Sequence, residues 1–451
     1  MYWYNRQMAS IQYRPIGHTA KDIAADVETA VRDGRLSPGE PLPPVRSLAT
    51  ELGLAPGTVA AAYGQLRERG LVETRGRRGT FVRPRPPIAT RSQPQPGHAG
   101  ALDLASGQPD PRLLPKLNPG PLRHRSPAAA PQEFVLPELR EQARDRLVRD
   151  GVPAEWISVT SGGLDAIGRV LSAHLRAGDT VAVEDPGWPN ALDLIATMGL
   201  RVLPLELDAA GIRPEGLTRA LHAGARALIV TNRAQNPTGS YLTAERARQL
   251  RAVLGDHPDT LVVEDDHAGE LATAGLATLA GATESWGFIR SASKPYGPDL
   301  RVGTLTGDET TVARVEGRMR TTSGWVSLLL QQLLLNLWTS ERTGTVIRRA
   351  RHAYDDRRLG LVSALTDRGL SATGASGLNV WVAVADETAV VTGLLAGGWS
   401  VAAGSRFRQR SAPGIRITVS NLDLAQLDRL ADDVAEACGS ATNAATGGYS
   451  V

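Results

Sequence analysis

Apolar residues recur at helical spacing between Thr19 and Asp33, with Ile23, Val27, Ala30 and Val31 on one face, and Gly34 ends the helix this predicts. Pro43-Pro44 opens a second helix, Val45-Arg-Ser-Leu-Ala-Thr-Glu-Leu52. Gly53 supplies a turn, and a third helix runs from Pro56 or Gly57 to Arg69 and stops at Gly70. Leu71-Val-Glu-Thr74 and Gly79-Thr-Phe-Val82 then alternate as two short strands around Arg75-Gly76-Arg77-Arg78. Helix, tight turn, helix and hairpin make one small module over residues 15–83. From Pro84 to Gly100, five prolines and almost nothing to bury predict an extended linker. Beyond Ala101 the pattern changes. Apolar runs such as Thr180-Val-Ala-Val183 and Leu261-Val-Val263 alternate with helical segments such as Leu139–Leu147 and Ala244–Leu254, which predicts an α/β sheet domain over 101–437. The tail 438–451, small and polar after Gly439, is expected to be disordered.

Composition narrows the class. A chain of 451 residues, at about 150 per domain, has room for a small module and one large α/β unit. The single cysteine, Cys438, excludes an internal disulfide, and no apolar run reaches the roughly 18 residues a membrane span needs. Met1 to Tyr13 has no apolar core with a cleavage site, so a cytoplasmic protein is expected. Net charge is only +3 but unevenly placed: Arg67, Arg69, Arg75, Arg77, Arg78, Arg83 and Arg85 face only Glu68 and Glu73. A helix-turn-helix beside such a cationic hairpin points to double-stranded DNA. The start of the third helix, at Thr58, would meet base edges in the major groove, and the arginines of the hairpin tip would lie at phosphates and the adjacent minor groove.

The large domain carries a second kind of chemistry. Lys21, Lys116 and Lys294 are the lysines among 50 basic residues, and Lys294 stands in Ser291-Ala-Ser-Lys294, ahead of Arg301. Arginine serves wherever only charge matters, so a lysine kept between small hydroxyl residues suggests a site that needs the amine itself. An amine forms a Schiff base with an aldehyde cofactor; a guanidinium does not. Asn236-Pro-Thr-Gly239 follows the apolar run Ala227–Thr231, and Glu264-Asp265-Asp266-His267 follows Leu261–Val263, so both lie at strand ends, where open α/β sheets bind ligands. A carboxylate such as Asp265 keeps a pyridine nitrogen protonated, and Asn236 can donate to a ring hydroxyl. Gly162-Gly163-Leu164 precedes a helix and would present backbone donors to a phosphate, while Trp188 could stack on a ring or simply pack in the core. Taken singly, each of these is an ordinary turn, strand end or core residue. Their order along the chain is what sets them apart.

Two resemblances attach to these residues. Gly34-Arg-Leu-Ser-Pro-Gly-Glu-Pro-Leu-Pro-Pro-Val-Arg46, Thr58-Val-Ala-Ala-Ala-Tyr63 and Gly79-Thr-Phe-Val82 resemble the winged helix-turn-helix of GntR-type regulators. That resemblance implies that Arg46 contacts phosphate or base and that Arg75 and Gly76 form a wing in the minor groove. Pro56-Gly57 departs from the Arg-Asn common at that point, which leaves the operator sequence open. The glycine turn, Trp188, Asn236-Pro-Thr-Gly239, Asp265-Asp266, Ser291-x-Ser-Lys294 and Arg301 resemble the fold type I aminotransferases. By that resemblance Lys294 is the Schiff-base lysine of pyridoxal 5'-phosphate, Asp265 the pyridinium partner and Asn236 the donor to the ring oxygen. Ser291, Arg301 and the Gly162–Leu164 turn hold the phosphate, and Arg416 takes a substrate or effector carboxylate. His267 stands where a tyrosine is usual, as a donor on the ring-oxygen side or a packing histidine. Ala130 stands where a second tyrosine would reach the phosphate of the partner subunit.

A GntR-type reader, a proline-rich linker and an aminotransferase-like domain together resemble the MocR subgroup of regulators. The resemblance implies a head-to-tail homodimer that binds DNA, with pyridoxal phosphate, alone or joined to an amine or amino acid, as effector. A working aminotransferase carrying a DNA reader, and a cofactor-free dimerisation scaffold, are the other readings of these residues.

Overall fold

The structure, a computed structural model, describes residues 13–32, 35–37, 39–68, 71–74, 78–82, 100–117 and 133–446. The chain divides into two compact units.

In the first unit, helices α1 (Ala20–Arg32), α2 (Val45–Leu52) and α3 (Pro56–Glu68) are followed by strands β1 (Val72–Thr74) and β2 (Thr80–Val82). Thr19 starts α1: its hydroxyl accepts from Asp22 N at 3.2 Å while Asp22 Oδ2 accepts from Thr19 N at 3.1 Å, which satisfies two backbone donors reciprocally. The apolar faces expected from spacing meet in one core, where Ile23, Val27, Leu48, Val59, Leu66 and Val82 are all buried. Gly53 ends α2 at φ +66, a left-handed conformation that glycine adopts without steric cost, and so turns the chain into α3. The buried Tyr63 hydroxyl donates to Pro43 O at 2.9 Å, tying α3 to the entry of α2. β1 and β2 pair antiparallel with Val72 opposite Val82, and Glu40 and Leu42 add backbone bonds to β2, so the segment before α2 serves as a third strand of the wing.

The second unit is built on an eight-stranded sheet. Its order is Trp156–Thr160, Gly303–Gly307, Trp286–Ser291, Leu261–Asp266, Ala225–Thr231, Thr180–Asp185, Arg201–Asp208 and Gly211–Ile212. The five strands from Trp286–Ser291 to Arg201–Asp208 pair parallel, and Gly303–Gly307 runs against both its neighbours. Sheets covered on both faces need continuously apolar strands, and Ala227-Leu-Ile-Val230 and Leu261-Val-Val263 are buried throughout. The parallel direction brings Asp185, Thr231, Asp266 and Ser291 to one edge of the sheet.

Residues beyond Glu341 add a smaller layer. A four-stranded antiparallel sheet (Ala372–Thr373, Asn379–Ala383, Gly414–Thr418, Ala402–Ala403) packs with helices Glu341–Asp367, Glu387–Ala396 and Leu427–Thr446 around Leu361, Val380, Ile417, Leu430 and Val434. Leu102–Asp103 pairs with Trp399–Ser400 and joins the segment after the linker to this layer. The carboxylate of Asp185 accepts from the backbone N–H groups of Gln409, Arg410 and Ser411 at 2.7–2.9 Å, which pins a loop of the layer to the end of a main-sheet strand. The final helix corrects the disordered tail expected after Gly439, since it continues to Thr446. Leu430, Ala431 and Val434 anchor it, and Ala441, Ala444 and Ala445 carry the highest intrinsic helix propensity. The linker 84–100 lies outside the described residues apart from Gly100.

Candidate functional site

The carboxyl ends of the parallel strands open on a cavity of about 580 Å³. Strand Trp286–Ser291 leads into the short helix Ser293–Tyr296, which carries Lys294 into the cavity. Lys294 is half-buried, and its amine donates to Gly107 O at 2.6 Å. Burial, and then the Arg416 guanidinium, push its pKa from 10.5 down to about 8, so the neutral amine is accessible near physiological pH. Asp265 comes from the neighbouring strand. Its Oδ2 lies 3.7 Å from His267 Nδ1, and its Oδ1 is buried without a hydrogen-bond partner.

A turn and a helix N-terminus form the next wall. Gly162 takes φ +99, and the helix Gly163–His174 begins directly after it. Arg301 Nη2 donates to Ser161 O at 3.1 Å and presses on the turn so closely that a Cβ on Gly162 would lie 3.2 Å from the guanidinium. The uncapped helix N-terminus at Gly163 and Leu164, Arg301 and Ser291 thus line the same cavity as Lys294. Arg416, on strand Gly414–Thr418, lines the same cavity. It is buried, donates to Asn236 Oδ1 at 3.0 Å and to Ala105 O, and has the Phe407 ring 4.8 Å from its guanidinium carbon. Its Nε has no hydrogen-bond partner.

Two buried clusters hold this constellation from below. Glu184 accepts from Thr231 N at 2.9 Å, Thr231 Oγ1 at 2.8 Å and Gln235 Nε2 at 3.2 Å; burial pushes its carboxyl up to about 7. Asp266, which follows Asp265, faces away from the cavity. It takes a bidentate pair from Arg233 at 2.9 and 2.7 Å and a bond from Arg290 Nε at 2.8 Å. Burial alone would raise its pKa, but Arg290 and Arg233 outweigh this and hold it at about 2.

The cavity thus brings together Gly163, Leu164, Trp188, Asn236, Asp265, His267, Ser291, Lys294, Arg301 and Arg416, while Gly162 stands one residue behind the wall, against Arg301. Ala130 lies outside the described residues. Ala105, Gly107, Gln108, Arg406 and Phe407, to which the sequence assigns no site role, are also part of the lining. Gly107 did carry a usable signal as a glycine in a Ser-Gly-Gln-Pro turn. It adopts φ +68, and a Cβ there would come within 3.1 Å of Arg416 Nη1. In the first unit, Arg46 is exposed on the first turn of α2, Thr58 is half-buried on the first turn of α3, and Arg78 is exposed before β2. Arg75, Gly76 and Arg77 lie outside the described residues.

Pyridoxal phosphate fits these groups. The unpartnered Asp265 Oδ1 suits a protonated ring nitrogen, the glycine turn with Arg301 and Ser291 suits a phosphate, and Lys294 offers an amine of lowered pKa on the cavity wall. Such a cavity, on a mixed sheet of this order, defines a pyridoxal-phosphate-binding domain of the aminotransferase type. Residues 102–434 match the family described as aminotransferase class I and II, and residues 19–82 match the bacterial regulatory proteins of the gntR family. The chain belongs to the MocR-type regulators, DNA-binding transcription factors in which a GntR reader is joined to a pyridoxal-phosphate-binding, aminotransferase-like domain.

Among its relatives, the vitamin B6 salvage pathway transcriptional repressor PtsJ of Salmonella typhimurium is 38% identical over 93% of this chain and 99% of its own. The pyridoxine biosynthesis regulator PdxR of Corynebacterium glutamicum is 30% identical over 74% and 76%. In fold, the second unit is similar to the kynurenine aminotransferase of Pyrococcus horikoshii, with a TM-score of 0.70 and 21% identity over 76% of this chain and 92% of that one. No helix among the described residues is long and apolar enough to cross a membrane.

Proposed function

We propose that this chain is a cytoplasmic bacterial regulator of vitamin B6 metabolism that senses pyridoxal phosphate, alone or together with an amine or amino acid. In this reading residues 15–83 read the operator, 84–100 link, and 101–437 sense. What supports it above all is the convergence of Lys294, Asp265, Asn236, Ser291, Arg301 and Arg416 on one cavity in a chain that also carries a GntR reader. The names of PtsJ and PdxR, both regulators of vitamin B6 genes, support the choice of pathway.

Each residue has a part. When bound, pyridoxal phosphate supplies an aldehyde for an amine and a ring that withdraws electrons. Lys294 is the amine positioned to meet that aldehyde, and its lowered pKa favours the neutral, nucleophilic form. Asp265 would hold a proton on the ring nitrogen, and Asn236 and His267 would flank the ring oxygen. Trp188 would cover a ring face, while Ser291, Arg301 and the Gly162–Leu164 turn would take the phosphate. Arg416 would receive a carboxylate. In the DNA reader, Thr58 would meet base edges, with Arg46 and the wing residues Arg75, Gly76, Arg77 and Arg78 on phosphates and the minor groove. Assembly as a head-to-tail homodimer completes the proposal. Cofactor binding would change operator affinity only through a difference in affinity for two arrangements of the dimer.

An active aminotransferase is the second reading, favoured by the presence of both Lys294 and Arg416 on one cavity. Absorption spectra of the purified chain with pyridoxal phosphate, in wild type and Lys294→Ala, decide between the two. A Lys294-dependent band that survives a panel of amino acids without oxo-acid formation supports the sensor. Multiple turnovers support the enzyme, and the absence of any band would reduce the domain to a scaffold.

A further inference from the structure

Three segments that face the cavity meet at one buried pair behind its wall. Glu184 ends the apolar run of strand Thr180–Asp185, just ahead of the turn to Trp188, and Gln235 stands directly before Asn236. They are 4% and 1% exposed, and neither lines the cavity. Gln235 Nε2 donates to Glu184 Oε2 at 3.2 Å and to Pro186 O at 2.8 Å, which ties it to the Trp188 turn. Its Oε1 accepts from Thr238 N at 3.1 Å and Thr238 Oγ1 at 2.7 Å, inside the turn that Asn236 opens. The backbone of Gln235 adds bonds to Ser240 O and from Gly239 N. Glu184 in turn holds Thr231 by its N–H and hydroxyl, and Thr231 lies opposite Asp265 on the neighbouring strand.

The chemistry of the pair is specific. A glutamine side chain has two N–H donors and an oxygen with two lone pairs, and here all four are engaged, two toward each turn. A carboxylate in its place could accept from Thr238 but could not donate to Pro186 O or Glu184. An apolar side chain would leave buried polar groups on both sides without partners. Glu184 is matched in the opposite sense, since every group it meets is a donor. Burial pushes its carboxyl up to about 7 against the pull of these donors, and the charge of Asp265 adds to the rise. Ala234, on the cavity wall before Gln235, takes φ +56, a left-handed conformation that a Cβ disfavours. Such a backbone persists where the surroundings over-determine it, as the bonds of Gln235 do.

We propose that Glu184 and Gln235 are positioning residues for pyridoxal phosphate, a buried clamp that holds the Trp188 turn, the Asn236 turn and the strand of Asp265 at a fixed spacing around the ring. The inference rests on the cofactor reading above and goes beyond it by assigning the orientation of the ring to two residues outside the cavity wall.

Visible circular dichroism of the bound cofactor and equilibrium dialysis, on full-length wild type, Glu184→Gln, Gln235→Glu and Gln235→Leu, test the clamp. Ellipticity per bound cofactor reports the asymmetry around the ring, which a loss of global stability alone does not move. Each variant is expected to bind pyridoxal phosphate about tenfold more weakly and to lose at least about half of that ellipticity. Gln235→Glu adds a signature of its own. Its defect relative to wild type should shrink between roughly pH 8 and pH 6, because a proton on one of two facing carboxyls restores a donor between them. The two isosteric variants decide the matter if Gln235→Leu does not fold. Unchanged ellipticity per bound cofactor in the variants, or a Gln235→Glu defect equal at both pH values, would overturn the clamp and leave the cofactor reading standing. A wild type without any cofactor band would overturn both.

Discussion

Lys294 Nζ and the carbonyl of Gly107 are 2.6 Å apart, although 187 residues separate them in sequence. The amine is thus oriented by the segment that follows the linker, and Ala105 in that same segment accepts from Arg416. The two cations that a cofactor and an effector would engage share one backbone strap, which is held by pairing at Leu102–Asp103 and by the buried Asp110.

The lowered pKa of Lys294 has a kinetic consequence. A neutral amine is needed to attack an aldehyde, so cofactor attachment should accelerate by about tenfold between roughly pH 6 and 7 and level off above about 8. Arg416→Gln removes a cation that favours the neutral form and should move the midpoint upward. Stopped-flow absorbance checks both, and a midpoint near the ordinary 10.5 of lysine would remove the role given to burial.

Asp265→Asn removes the charge placed for the ring nitrogen. A charge-assisted hydrogen bond contributes about 1.5–3 kcal/mol, so cofactor affinity should fall roughly ten- to a hundredfold. Equilibrium dialysis with absorbance readout gives the ratio; unchanged retention would move the ring elsewhere.

Arg233→Ala strips the bidentate partner from Asp266, which is wholly buried. Removing one side of a buried ion pair destabilises by about 3–5 kcal/mol, and the remaining Arg290 bond places this variant toward the lower end. Urea unfolding followed by circular dichroism should show it, and a loss well under about 1 kcal/mol would mean that water replaces Arg233 freely.

Much of this site was legible in linear order. Lys294 stood out because arginine fills almost every other cationic position, and Asp265, Asn236 and the glycine turn fell at strand ends that apolar runs predicted. The reader was equally plain, since Gly53 and the spacing of Ile23, Val27, Ala30 and Val31 require little beyond local rules. Gly107 and Phe407 were not, because their meaning comes from contacts with Arg416, which lies far along the chain from Gly107. Nor did the adjacent carboxylates Asp265 and Asp266 reveal that one faces the cavity and the other two arginines. Strand alternation places them on opposite faces, but only the packed neighbours say which face is which.

Electrostatic contact with DNA predicts steep salt dependence. Arg46→Ala and Arg78→Ala, both at exposed positions, should each weaken binding across sequences and lower the slope of log affinity against log salt by about 1. Slopes equal to wild type would take these residues off the phosphates.

The most direct test of a pyridoxal-phosphate-responsive regulator is the affinity of the full-length chain for duplexes it selects from a random pool, measured with and without the cofactor in wild type and Lys294→Ala. Wild type should change its affinity on cofactor addition, by about fivefold or more if the coupling reaches 1 kcal/mol, and Lys294→Ala should not respond. Identical affinities with and without cofactor in the wild type, at saturating occupancy, would contradict the account.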